Sequence, residues 1–179
     1  MSLKSDAIRY GSVARTMHWV TAAAILAMAG SGLAAESASG EPEAVNILRF
    51  HAITGVAVVA LTLLRILWWA FADRRPADTA STPRWQARAA HAVHYALYFV
   101  VILLGGSGIA TIVLSGAGTV LSGAATGPLP AFEDFTPRGP HGLFAWLLIS
   151  LVALHVVAAV YHQVVLKDRL LGRMGVGRA

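Results

Sequence analysis

The segment HGLFAWLLISLVALHVVAAVYH, residues 141–162, decides the architecture. Thirteen residues with no charge and no proline separate His141 from His155, and a run this apolar reads as a membrane helix. Fourteen steps at 100° return a helix to within about 40° of its starting face, and at 1.5 Å per residue they cover about 21 Å. The two imidazoles therefore share one face at two depths. His162, seven residues beyond His155, falls on that face again near the helix end. Ionisable or ligating side chains are costly inside a bilayer and mark functional positions. One helix that offers histidines at two depths points to two stacked redox or metal centres.

The composition agrees. Of 179 residues 56% are hydrophobic and 13% charged, with 17 glycines, which is far from a soluble globular domain. The opening MSLKSDAIRYGSVART is polar and the first apolar run is long enough to stay as a span, so a cleaved leader is not expected. Cysteine is absent, which excludes disulfides, iron–sulfur clusters and thiolate sites and leaves histidine as the metal ligand. The net charge of +5 does not point to nucleic acid, because the basic residues sit beside membrane spans, where positive-inside bias is the simpler cause.

Four spans are expected, at about 17–35, 47–72, 91–115 and 141–166. Trp19 marks an interface. Residues 36–46, with Glu36, Glu41, Pro42 and Glu43, read as a short acidic loop, and residues 73–90, with four arginines and two prolines, as a turn-rich basic one. The GGSGIA segment of span three favours close helix–helix approach. Residues 116–140 are too rich in glycine, serine and proline for a span and read as a loop. No internal repeat is visible.

The N-terminal segment, the 73–90 loop and the tail hold eleven of the fourteen Lys and Arg residues, while the other two loops hold five of the nine acids. Those three segments are expected at the cytoplasm. The fold class is therefore all-α, an integral-membrane four-helix bundle, up-down-up-down, with both termini cytoplasmic. His51 and His141 fall at the outer side, and His18, His91, His94, His155 and His162 toward the inner side.

If an outer centre exists, His51 and His141 are its ligands, since no other histidine lies at that depth. At the inner level His155 needs a partner from His18, His91 or His94, and geometry alone does not choose. Bis-histidine ligation between helices, with no cysteine, suits b-type haem, whose macrocycle needs apolar walls and small residues that leave room. Gly55 and Gly142 are placed to supply that room. A zinc site would want four ligands where the outer level offers two. Taken singly, His91 or His94 most simply makes an interhelical hydrogen bond.

Haem propionates need cations, and Arg15, Arg49 and Arg138 each precede a histidine by two or three residues, while Arg65 follows His51 by fourteen. For Arg15 an ordinary snorkelling role competes with this one. Arg49 and Arg138 are the only cations on an otherwise acidic outer face, placed to hold propionates, attract an external anion, or both.

The pieces RYGSVARTMHW, FHAITG continuing to LLRILWW, HAVHYALY, and the two span-four histidines followed by VVAAVYHQVVLKD together resemble the bacterial cytochrome b561 family. These are four-helix di-haem membrane proteins related to the cytochrome b subunits of formate dehydrogenase and nickel–iron hydrogenase. The resemblance covers nearly the whole chain. It implies two haem b groups, the inner one ligated by His18 and His155 and the outer one by His51 and His141. Within the family, the short length, the paired histidines opening span three, and His162 followed by KD and LL are most similar to the superoxide oxidase members of bacterial inner membranes.

That likeness implies oxidation of superoxide at the periplasmic side and reduction of ubiquinone. Arg49 and Arg138 would then draw superoxide in, and His162, His91 or His94 would hydrogen-bond the quinone. The partners implied are membrane lipid, a quinone, and superoxide or an external redox protein. The alternative is an electron-transfer subunit that links a periplasmic dehydrogenase, hydrogenase or soluble cytochrome to the quinone pool. A haem-free transporter or scaffold would be colourless. Nothing in the sequence fixes the oligomeric state.

Overall fold

Hydrocarbon offers no partner to a backbone N–H or C=O, so apolar runs of this length close their hydrogen bonds internally as helices. The protein's structure, a computed structural model, describes residues 2–38, 43–78 and 82–177. Glu41 and Pro42 of the acidic loop, residues 79–81 of the basic loop and Arg178 of the tail lie outside the described residues.

The four long helices are α1 (Ser12–Ser37), α2 (Ala44–Leu67), α3 (Arg84–Ser115) and α5 (Arg138–Tyr161). Between the last two lie the short α4 (Gly118–Ser122) and a 3-10 turn (Phe132–Asp134), and α6 (Leu170–Arg173) closes the described chain. Helix α2 widens into a π turn at Trp68–Ala72, and α5 does so at His162–Leu166. With these turns included the spans are 26, 29, 32 and 29 residues long, with mean hydropathy 1.4, 2.0, 2.3 and 2.5. Even the shortest covers about 39 Å, more than the roughly 30 Å hydrocarbon core. The described residues contain no strand, and the fold is an all-helical, four-span bundle.

Each helix begins earlier than the apolar runs alone indicate. The largest difference is in α3, which starts at Arg84, so that RWQARAA is helical and not part of a turn-rich loop. Pro83 accepts from the Ala87 amide at 3.2 Å, and Ala, Gln and Arg are good helix formers. The 116–140 stretch likewise contains α4 and the 3-10 turn.

The chain forms two compact units. One gathers the N-terminus to Thr21, Leu61–Tyr98 and Ser150 to the C-terminus, bringing together the start of α1, the end of α2, the start of α3 and the end of α5. Consecutive spans therefore alternate in direction. The other gathers Ala22–Ala60 and Phe99–Ile149. In this second unit Val58, Val100, Leu104 and Leu148 are buried, and a Cβ at Gly105 would collide with Val59. That glycine lets α3 lie directly against α2.

In the first unit an N-terminal strap is clasped by one carboxylate. Asp73 accepts from the Ser5 amide at 3.0 Å, the Ser5 hydroxyl at 2.8 Å, the Arg74 amide at 2.8 Å and the Trp68 indole at 3.2 Å. Tyr10 packs edge-on against Trp69, and Arg173 donates to the Ile8 and Ala77 carbonyls at 2.8 and 2.7 Å. The N-terminal strap, the end of α2 and the tail are thus one hydrogen-bonded assembly.

Burial alone would raise the Asp73 carboxyl, but the donors from Ser5, Arg74 and Trp68 outweigh it and hold the group below the usual carboxylate range. A lowered value in the folded state means that the clasp is at full strength above the unfolded value of about 3.9 and is lost as pH falls through the folded one. Asp73→Ala should release the strap already at pH 7. Hydrogen exchange across residues 5–11 is then expected to rise by about tenfold or more, since hydrogen bonds to a charged group contribute about 1.5–3 kcal/mol. Exchange equal to that of the parent would show that the carboxylate does not hold the strap.

Candidate functional site: two facing histidine pairs

The seven histidines divide between the units. His51 and His141 lie in the second, and His18, His91, His94, His155 and His162 in the first. The ring centres of His51 and His141 are 6.2 Å apart with planes at 74°. Those of His18 and His155 are also 6.2 Å apart, at 70°. Two nitrogens each about 2 Å from one metal, with roughly 1.1 Å more from nitrogen to ring centre at each end, put the rings about 6 Å apart. Both pairs have that spacing.

The other inner candidates do not. His94 lies 5.0 Å from His155, closer than a metal between two rings allows, and its Nδ1 is 2.7 Å from the Ala90 carbonyl of its own helix. His91 lies 3.5 Å from Asp78 on an exposed surface.

The second unit fixes which nitrogen each ring offers. His51 Nδ1 is 3.0 Å from the Met28 carbonyl and 3.2 Å from Ser31 Oγ, while that hydroxyl donates to the same carbonyl at 3.0 Å. His141 Nδ1 is 3.2 Å from the Leu104 carbonyl and 3.2 Å from Ser107 Oγ, which donates to Leu104 at 3.0 Å. Each serine has one proton and directs it at the carbonyl, so in both contacts Nδ1 is the donor. The lone pair is left on Nε2. His18 is arranged differently. Arg65 Nη1 is 3.1 Å from His18 Nδ1, and because a guanidinium only donates, that nitrogen accepts.

Several features test whether a haem suits these residues. Arg65 carries a buried Nε with no hydrogen-bond partner among the described residues, a donor that an anionic acceptor would satisfy. Gly30 and Gly106 have open space where a Cβ would be, and a Cβ on Gly32 or Gly108 would come within 3.1 Å of Cε1 of His51 or His141. Among the described residues no three or more His, Cys, Asp or Glu side chains gather at one point. Donors that come in twos suit axial ligation to a macrocycle bringing its own four nitrogens, not a tetrahedral ion. At Gly55 and Gly142, expected from the sequence to make room, an added Cβ would come within 3.3 Å of Met28 Sδ and 3.1 Å of Arg138 Nη1.

The remaining cations divide by role. Arg49 donates through Nε to the Leu121 carbonyl at 2.6 Å and through Nη1 to Asn46 at 3.3 Å, so it caps the C-terminal end of α4. Arg138 lies along α5 one turn before His141. Arg15 packs against Gly175, whose φ of +87° is a left-handed conformation suited to glycine. At the end of α5, His162 Nδ1 is 2.5 Å from Asp168 Oδ2. Asp168 sits between Lys167 and Arg169, both left-handed at φ 55° and 57°, a rare conformation for side-chain-bearing residues that turns the carboxylate back onto the histidine.

Ser31 and Ser107 carry no role in the reading of the sequence, and Asp168 enters it only as part of the KD that follows His162. Although no internal repeat is visible at first reading, a signal for the two serines exists as one. MAGSG at 28–32 begins ten residues after His18, and LGGSG at 104–108 begins ten residues after His94. His51 precedes Arg65 by fourteen residues as His141 precedes His155. The order histidine, xGSG, histidine, polar ligand thus occurs twice, masked by apolar filler that differs between the copies.

The sequence profile of prokaryotic cytochrome b561 matches residues 9–177. The chain is 32% identical over 165 residues to cytochrome b562 of Cereibacter sphaeroides, covering 89% of this chain and 90% of that protein. It is 26% identical over 186 residues to cytochrome b561 homolog 2 of Escherichia coli strain K12, covering 97% and 95%.

If Arg49 acts chiefly as the clamp on α4, Arg49→Ala should speed hydrogen exchange at the Leu121, Gly123 and Ala125 amides by about tenfold or more, the cost of a lost charge-assisted hydrogen bond. Exchange there equal to that of the parent would return Arg49 to a purely electrostatic role.

Proposed function

The chain belongs to the prokaryotic cytochrome b561 family, and as such it is a multi-pass membrane b-type cytochrome of electron transfer; from this premise we propose that it carries electrons from superoxide to ubiquinone across a bacterial inner membrane. The observation that carries the reading is the pair of histidine pairs, each with ring centres 6.2 Å apart. We assign His18 and His155 to an inner haem b and His51 and His141 to an outer one. Haem, when bound, supplies a one-electron iron couple.

The chain's own residues have separate tasks. His51 and His141 offer Nε2, with Nδ1 held by the serine and carbonyl acceptors of the neighbouring helix. For His18 to offer Nε2 its proton must sit on Nδ1, so Arg65 has to leave that nitrogen. Its unpartnered Nε makes a haem propionate the fitting new acceptor. Arg15 is a second cation of the inner unit.

On the outer side Arg138, one turn from His141, supplies positive field that draws a small anion inward, and low-dielectric walls focus it. Arg49 adds charge while holding α4. At the inner end, Asp168 orients His162 through Nδ1, which leaves Nε2 to face a quinone oxygen and pass it a proton. His94, beside His155, and the exposed His91 are further donors in that unit. Each superoxide gives up one electron and leaves as oxygen, so two are consumed for each quinone that takes two electrons and two protons.

The test is stopped-flow absorbance of the oxidised protein in detergent after a pulse of superoxide, with and without ubiquinone. The reading expects reduced b-haem bands that grow within the pulse and are discharged by quinone. Arg138→Ala should slow their growth by about tenfold at low salt, with the gap closing as salt screens the charge. Bands that stay oxidised under superoxide yet respond to dithionite would instead assign the chain to an electron-transfer subunit with an external protein donor.

A further inference from the structure

The two xGSG segments make the same contacts at two different helix pairs. In each, the serine is on the long helix preceding the histidine's own, its proton is spent on the carbonyl three residues back, and its oxygen lies 3.2 Å from the ring's Nδ1. A Cβ on the following glycine, Gly32 or Gly108, would come within 3.1 Å of Cε1 of the ring. The preceding one, Gly30 or Gly106, is open. Every feature of one cradle has its counterpart in the other. Neither serine oxygen has another donor among the described residues.

We propose that Ser31 and Ser107 are matched positioning residues that set the electron-donor strength of His51 and His141 through Nδ1. The inference rests on the reading of these two histidines as the axial pair of one haem. An imidazole whose N–H is shared between a carbonyl and a hydroxyl oxygen carries more negative charge on Nε2 than one with a single acceptor. Two such rings would favour oxidised iron in a haem held between them and keep its potential down, and the same hydrogen bonds fix the ring planes. Because the cradles are equivalent, the two serines act equally and on the same centre. Their removal leaves the backbone carbonyls of Met28 and Leu104 in place, so the haem stays bound.

The experiment is a redox titration of the full-length protein carrying Ser31→Ala, Ser107→Ala or both, fitted as two one-electron components. Haem content is measured alongside, and Ser31→Gly and Ser107→Gly serve as second variants should alanine impair folding. The expected result is an upward shift of one component, the same one in both single variants, of similar size, additive in the double. Ser31→Thr and Ser107→Thr, which keep the oxygen, restore the parent value. Electron paramagnetic resonance of the oxidised protein should move for that haem alone.

No shift with haem content unchanged, shifts of different components by the two serines, or failure of threonine to restore the value would each overturn the proposal. A His51→Ala chain that keeps its full haem content would instead overturn the ligand reading beneath it, whatever the serines do.

Discussion

An imidazole placed in hydrocarbon needs a partner for each of its nitrogens, because an unsatisfied polar group there costs several kcal/mol. That requirement organises the candidate sites. His51 and His141 satisfy Nδ1 with a backbone carbonyl and a serine oxygen, so Nε2 of each ring is left for whatever lies between them. The carbonyls are within reach because glycine at 32 and 108 lets the ring lie almost on the neighbouring backbone. His18 satisfies Nδ1 with Arg65, at the expense of a buried guanidinium whose own Nε is unpartnered. The two pairs thus differ in kind. His51 and His141 set Nδ1 against acceptors, and His18 sets it against a donor.

The helical pattern could be read from the sequence, and from it an expected depth for each histidine, because hydropathy and the 100° step are properties of the chain alone. The grouping of His51 with His141 followed from depth. The separation of His18, His91 and His94 as neighbours of His155 did not, since all three lie at one level and only side-chain geometry distinguishes 6.2 Å from 5.0 Å or from a surface contact with Asp78.

Ser31 and Ser107 escaped for a related reason. A serine in a glycine-rich membrane helix reads as a packing residue, and its second role depends on which way its one proton points. Arg49 is expected from the sequence at the outer face, but its capping of α4 is not, because α4 is five residues long and carries no periodic signal. Helix α3 begins before its apolar run because the arginines, glutamine and alanines that precede the run are good helix formers.

In the proposed reading, the polar features at the two ends of the chain's spans serve different chemistry. Arg138 at the start of α5 meets an anion, and the π turn at its end presents His162 against Asp168 where protons are available. The Asp73 clasp closes the unit that contains His162, tying the N-terminal strap to the end of α2. A single helix carrying His141, His155 and His162 therefore contributes to every step assigned to the chain.

The central claim, two bis-histidine centres, is tested most directly by haem stoichiometry in histidine variants of the purified protein. The account predicts two haems per chain in the parent and one in each of His18→Ala, His155→Ala, His51→Ala and His141→Ala. Variants lacking both members of one pair should still hold one haem, and His155→Ala combined with His141→Ala should hold none. A haem lost from both centres by one substitution, or a within-pair double variant with none, would contradict it.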